Sequence, residues 1–281
     1  MSLNRSIGIV GQGFVGVALK EGFSKFSIET YDKFKDSTCN NIQELCTKVK
    51  IIFVCVPTPM NMDGSCNVSI VESVVNEIDS FSEGHVIVIK STIPPGTTQR
   101  LNKECKNSQV VFNPEFLTEA NFIEDFKNQT RIIIGGPRPA STKVKNLYRK
   151  AFPETTLIKT GSTTAEMVKY FTNCFLATKV SFSNEIKQIC NKVHVDYDKV
   201  VEYALYDKRL GSSHFSVPGP DGKDGFGGSC FPKDLNALIK TAEKLDINPL
   251  VLTSAWNKNL EIRPKKDWEQ LKGRAVSREE L

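Results

Sequence analysis

The sequence has little of what builds a metal centre, a disulfide scaffold or a membrane anchor. Its three histidines, His85, His194 and His214, stand far apart without ligand spacing, so no metal site is expected. Eight cysteines, at 39, 46, 55, 66, 105, 174, 190 and 230, include no C-x-x-C pair, and several sit inside apolar runs. They read as reduced thiols of an intracellular, cytoplasmic protein. No apolar run approaches the ~20 residues of a membrane span, and the chain enters a strand pattern at once, with no signal-peptide pattern, so no membrane partner is expected. Clustered lysine and arginine are missing too. A formal charge of +5 spread over 281 residues suits small anionic ligands and argues against nucleic acid. With 40% hydrophobic and 25% charged residues, the chain reads as globular, and its length suits two domains better than one.

The first half carries a dinucleotide pattern. The apolar run Ile7–Val10 leads into Gly11, Gly13 and Gly16, spaced G-x-G-x-x-G around Gln12, Phe14 and Val15, and a helical run follows. The first glycine makes a tight turn, the second lets backbone approach a pyrophosphate, and the third lets the helix pack on the strand. A second strand, IETYD, ends at Asp32, about 20 residues on, where a carboxylate would bind ribose hydroxyls. That acid favours NAD over its 2′-phosphorylated form, although Lys33 and Lys35 stand beside it. Apolar runs at 50–56, 85–90, 109–113, 131–136 and 155–160 read as buried parallel strands separated by helical or turn segments. The pattern predicts a doubly wound Rossmann sheet with its ligands outside the carboxyl ends of the strands. Three exits there are polar or stiffened by proline: PTP (57–59), STIPPGT (91–97) and NPEFLTEA (113–120).

The second half reads as helical. One long helix is expected from Ser162 to about Val193, with Glu166 placed for a capping box at its own start. Its apolar positions cover more than one face, which suggests a domain connector and a dimer interface. Lys169 and Asn173, four apart, share one face; periodicity alone makes Lys169 a solvated lysine. A helix over 196–207 precedes a long irregular stretch, 208–230, which ends at Cys230 within GFGGSCFPKD (225–234). Glycines leave Cys230 uncovered, and Pro232 fits the first turn of a helix. Cys230 would then sit just before a helix N-terminus, where backbone dipoles favour the thiolate, with Asp234 in the first turn. An incidental cysteine in a glycine turn is the alternative. Residues 250–271 read as helix broken near Pro264, and 272–281 as a polar tail.

In order, GQGFVG, CVPTP, STIPPGT, NPEFLTEA, AEMVKYFTNCF, DKRLG and GFGGSCFPKD resemble the nucleotide-sugar 6-dehydrogenases over nearly the whole chain. The resemblance implies an α/β protein: an NAD-binding Rossmann domain over 1–161, then an all-helical central and dimerisation domain over 162–281. It implies oxidation of the C6 alcohol of a nucleotide-bound hexose to a carboxylate with two NAD. Cys230 matches the nucleophile of thiohemiacetal and thioester intermediates. Asp234 and Thr92 match the pair that orients water, Lys169 and Asn173 the oxyanion donors, and Glu115 an acid/base in thioester hydrolysis. Cofactor positions are Gly11, Gln12, Gly13, Phe14, Val15, Gly16, Asp32, Lys33, Pro57, Thr58, Pro59, Ser91, Thr92, Glu119, Cys230 and Lys233. Substrate positions are Glu115, Phe116, Leu117, Glu119, Lys169, Asn173, Gly225, Phe226 and Gly227, with Arg209 reaching in from the second subunit of a homodimer paired through 162–193. Two departures stand out. The usual third domain is not present, so the chain is a naturally short form or a fragment, and SVPGPDGKD (216–224) does not match the best-known family members before Gly225, where they carry a substrate-binding lysine. UDP-glucose is the first choice of substrate, ahead of UDP-N-acetylglucosamine, UDP-N-acetylmannosamine and GDP-mannose. A β-hydroxyacid dehydrogenase shares the Rossmann half, long helix and lysine but needs no cysteine; a binding module without turnover is the non-enzymatic alternative.

Overall fold

The computed structural model describes residues 6–278. Seven strands form one sheet: β1 (Ser6–Val10), β2 (Ser27–Tyr31), β3 (Ile51–Val54), β4 (Val86–Ile89), β5 (Gln109–Phe112), β6 (Arg131–Gly135) and β7 (Thr156–Thr160). Between them run α1 (Phe14–Gly22), α2 (Ile42–Lys48), α3 (Ser69–Ser80), α4 (Thr97–Glu104), α5 (Phe122–Lys127) and α6 (Ala140–Ala151). The strand order is β2-β1-β3-β4-β5-β6-β7. Pairs are parallel except where Phe112 of β5 meets Gly135 of β6 in one antiparallel bridge; the all-parallel sheet expected from the sequence holds on either side of that bridge.

The apolar strands are buried on both faces because the pleat sends successive side chains opposite ways. Ile52, Val54, Ile87, Ile89, Val110 and Phe112 pack with α2, α3 and α4. Phe53, Val86, Val88 and Val111 pack with α1, α5 and α6 on the other side. Strand order reverses at β1, with β2 on one flank and β3 on the other, which makes the β1/β3 exits the switch point where such sheets bind ligands.

The chain divides into two compact units. The first runs through Thr58 and resumes over Val68–Lys169; the second comprises Pro59–Asn67 and Tyr170–Leu281. The division falls within α7 (Ser162–Lys192), a 31-residue helix as its apolar periodicity leads one to expect. In the second unit, Tyr170, Cys174 and Ala177 of α7 pack with Leu235 and Ile239 of α9 (Phe231–Glu243) and Ala255 of α10 (Leu250–Ile262). Between α7 and α9 lies α8 (Tyr197–Ala204). Residues 272–277 of the expected polar tail are held by backbone hydrogen bonds. Met60 N–H donates to Ala275 O (2.9 Å) and Ser277 N–H to Met60 O (2.8 Å), tying them to the 59–67 segment; residues 279–281 of that tail lie outside the described residues. Among the described residues no helix is long and apolar enough to cross a membrane.

Candidate active site

In the first unit the glycine turn after β1 has the geometry its pattern implies. Gly11 takes φ +92, and a Cβ there would lie 2.7 Å from Cys55 O; one on Gly16 would lie 2.1 Å from Gly11 O. Both positions therefore require glycine for the backbone itself. Gly13 differs. It is the N-cap of α1, and a Cβ on it would meet nothing within 4 Å, so its backbone is open to an anionic group at the helix N-terminus. Asp32 follows β2; its Oδ2 accepts from Gln12 N (2.6 Å) and its Oδ1 from Phe34 N (2.9 Å). An open glycine at a helix N-terminus beside a carboxylate fits NAD. Lys33 turns to the Phe34 ring (5.8 Å), while Lys35 donates to Gln12 O (2.7 Å).

Around the exits of β3 and β4, Pro57 is exposed, Thr58 and Thr92 are buried, and Ser91 Oγ donates to Val56 O (2.6 Å). The exit of β5 holds the tightest cluster. Lys169 Nζ donates to Glu115 O (2.6 Å) and Glu115 Oε1 (2.9 Å), and lies 5.5 Å from the Phe116 ring. Glu115 Oε2 accepts from Leu117 N (2.8 Å). Lys169 is 2% exposed, so the solvated lysine that periodicity suggests is overturned: a partner 54 residues away takes it out of water. Burial pushes the Glu115 carboxyl up, but the Lys169 charge, the Leu117 N–H and, further off, the Lys90 charge hold it below its ordinary range. Glu119, beyond this turn, is exposed.

Two residues on this rim have roles the sequence does not announce. Glu166 does not cap its own helix. Its carboxylate accepts from Gly96 N (2.6 Å) and Thr98 N (2.8 Å), so it caps α4 and fixes the STIPPGT turn; burial raises its carboxyl despite these bonds. Lys90, buried at the end of β4, donates to Asn113 Oδ1 (3.1 Å) and Pro114 O (3.3 Å). Burial pushes its ammonium down to about 8, against the pull of the Cys55 thiol and the Glu115 carboxylate. The one signal for it was a lysine closing the run HVIVI, where the strand is still buried.

In the second unit Cys230 is the N-cap of α9, with Pro232 in the first turn, as the glycine and proline spacing predicts. Asp234 is buried in that turn with both carboxylate oxygens bonded: Asn173 Nδ2 donates to Oδ2 (2.6 Å) and Lys233 Nζ to Oδ1. Burial opposes the Lys233 charge, yet Asp234, then the Cys230 and Cys66 thiols, hold its ammonium above the usual range. Arg209 is exposed and paired with Asp207. The glycines before the thiol have a different reason from the one their pattern suggests. A Cβ on Gly225 would lie 2.5 Å from Asn259 Oδ1, and one on Gly227 would lie 2.5 Å from Arg263 Nη2. These two are glycine to admit side chains of α10. Gly228, exposed at φ +69, has nothing within 4 Å of such a Cβ.

A doubly wound sheet with an open glycine turn, followed by helices that present a thiol at an N-cap, defines a two-part nucleotide-dependent class of protein. Residues 29–152 match the NAD binding domain of the UDP-glucose/GDP-mannose dehydrogenase family, and residues 163–261 match its central domain. The chain belongs to that family. It is 37% identical over 212 residues to the UDP-glucose 6-dehydrogenase TuaD of Bacillus subtilis, covering 73% of this chain and 45% of that protein. To the UDP-glucose 6-dehydrogenase of Rhizobium meliloti it is 38% identical over 208 residues, covering 70% and 46%. The solved UDP-glucose dehydrogenase of the hyperthermophilic archaeon Pyrobaculum islandicum superposes with a TM-score of 0.83 at 29% identity, covering 92% of this chain and 68% of that one. The chain thus spans about half the length of the curated relatives it matches.

Proposed function

We propose that this chain oxidises the C6 alcohol of a nucleotide sugar, UDP-glucose first, to the carboxylate of UDP-glucuronate. The observation that carries the reading is the Cys230 thiol at the N-cap of α9, with a buried carboxylate, Asp234, held in the same turn. NAD, when bound at the Gly11–Gly16 turn with Asp32 on its ribose, supplies the hydride acceptor for both oxidations. Cys230 Sγ adds to C6 of the aldehyde formed first, making a C–S bond while the carbonyl oxygen takes a proton. Loss of a hydride from that carbon, together with the proton on its oxygen, leaves a thioester. Water then adds at C6, the C–S bond breaks, and the thiolate leaves as the carboxylate forms. Asp234 and Thr92 orient that water, and Glu115, held ionised by Lys169, takes its proton. Lys169 and Asn173 face oxygen charge at C6, each donor contributing about 2–4 kcal/mol. Lys169 is already fixed by Glu115 and Asn173 by Asp234, so neither has to be ordered by the substrate. Phe116, Leu117, Glu119 and the Gly225–Gly227 backbone contact the sugar nucleotide, as does Arg209 from a second copy, and Pro59 and Lys233 contribute to the binding of NAD.

Purified protein incubated with NAD and a panel of UDP-glucose, UDP-N-acetylhexosamines and GDP-mannose should release two NADH per sugar consumed, with UDP-glucose preferred. One NADH with an aldehyde or ketone product would indicate single-hydride chemistry, and binding without NADH a module that no longer turns over.

A homodimer through α7 is part of the same reading. Phe171, Phe175, Phe182 and Ile189 stay exposed along one stripe of that helix, and Phe171 and Phe175 stack at 6.2 Å. Sedimentation should give twice the 31.3 kDa chain mass, and Phe175→Glu with Phe182→Glu should give the single chain. The eight free thiols support a reducing, cytoplasmic setting.

A further inference from the structure

Gly225–Cys230 includes three glycines in six residues. Such a segment loses more backbone freedom on ordering than any other composition, and it cannot hold one shape by its own side chains. Yet Cys230 must sit at one place on the end of α9 if its thiol is to react repeatedly at one carbon. The order has to come from outside the segment.

It comes mainly from α10. Asn259 is fully buried, and its carboxamide grips both polar groups of one peptide residue. Oδ1 accepts from Phe226 N (2.7 Å) and Nδ2 donates to Phe226 O (3.0 Å). One turn on, the buried Arg263 guanidinium lies against Gly227, closer than any side chain there would permit. Its own orientation is fixed by Asp267, reached from Nε (2.8 Å) and Nη2 (2.6 Å), and by Asp221, reached from Nη2 (2.6 Å). From α7, Asn184 Oδ1 accepts from Gly225 N (3.2 Å). A solvent-facing glycine loop needs none of this. A buried amide and a buried guanidinium both spent on one loop, at sites where only glycine lets them approach, indicate that its shape is held for a purpose.

We propose that Asn259 and Arg263 are positioning residues that set the reactivity of the Cys230 thiol by clamping the Gly225–Gly227 backbone onto α10. The clamp itself stands on geometry; its catalytic meaning rests on the role proposed for Cys230. Neither residue touches the reacting atoms.

The test reads Cys230 directly. Full-length protein is treated with iodoacetamide near neutral pH, and carboxamidomethylation of Cys230 is timed by mass spectrometry of its peptide. Asn259→Ala and Arg263→Lys should each slow Cys230 labelling by about tenfold, the scale expected when a buried hydrogen bond is lost at the site it orders. Ser181→Ala is the control. It removes a buried hydrogen bond to the same helix (Ser181 Oγ to Ala255 O, 2.7 Å) away from the loop, and should lower the unfolding midpoint while leaving Cys230 labelling within about twofold. In turnover, the two clamp variants should lose kcat while KM for NAD stays unchanged. Should Asn259→Ala not fold, Arg263→Lys decides, because it keeps the charge and loses only the planar fork. Labelling within twofold of the parent protein, or faster, in a folded clamp variant overturns the inference. Slower labelling in a protein that oxidises no nucleotide sugar would keep the clamp and remove the proposed reaction. Two NADH per sugar with unchanged labelling would do the reverse.

Discussion

Cys230→Ser is expected to abolish acid formation while leaving the protein folded. Serine is a preferred N-cap residue, so the start of α9 is conserved. Pro232 in the first turn and Asp234 with its Asn173 and Lys233 partners stay as they are. What is lost is the sulfur. A hydroxyl at this position is a poor nucleophile near neutral pH, and an ester in place of a thioester reacts more slowly with water, so the covalent route loses both its entry and its exit. Uronate production should fall by about three orders of magnitude or more, the range seen when a nucleophile is removed. The measurement is uronate by chromatography together with NADH released per sugar. Production of acid with two NADH at a tenth of the parent rate would remove Cys230 from the mechanism. The single-hydride alternative predicts full activity in this variant.

The second large effect concerns stability. Lys169→Met should destabilise the first unit by about 3–5 kcal/mol, because it leaves the Glu115 carboxylate buried without its partner. Lys90 is the other positive charge that Glu115 feels, so part of the penalty is offset and the lower end of that range is expected. Removing both charges, Lys169→Met with Glu115→Gln, should restore most of the loss, since the cost lies in the stranded charge more than in the missing contact. Urea unfolding of the two variants and the parent measures this. Acid supplies a sign check. The folded Glu115 carboxyl lies below its ordinary 4.5, so its ionised form contributes stability above that pH, and the contribution is lost as pH falls through the lower folded value. The gap between parent and Lys169→Met should therefore close below pH 4.5. A gap that persists unchanged at low pH, or a double variant no better than the single, would show that the lysine stem, not its charge, holds the site.

These two predictions differ in how far the sequence reaches them. The thiol was legible: glycines that uncover it, a proline that starts a helix and an aspartate in the first turn are all local signals, and α9 obeys them. The lysine was not. Helical periodicity places Lys169 on a face but says nothing of what waits on that face, and Glu115 arrives from a strand exit 54 residues earlier. Glu166 misleads for the same reason. Its spacing from the start of α7 is that of a capping box, but two N–H groups at the start of α4, those of Gly96 and Thr98, which have no partner within their own helix, are the stronger claim on its carboxylate. The glycines at 225 and 227 invite a reading in terms of ligand, whereas Asn259 and Arg263 fill the space their missing Cβ atoms leave.

By itself the sequence determined what depends on neighbours in the chain. It set the strands as apolar runs, the nucleotide turn as spaced glycines ending before a carboxylate, the long helix as continuous periodicity and the N-cap thiol as local turn chemistry. Only the tertiary structure decided which buried polar groups meet. It gave β6 its antiparallel bridge to β5, tied residues 272–277 to Met60, paired Lys169 with Glu115 and set α10 under the glycine loop. The physical reason is that backbone preferences are satisfied within a few residues. A buried charge or amide must instead find its partner wherever the fold brings one, at a sequence distance that no local pattern records.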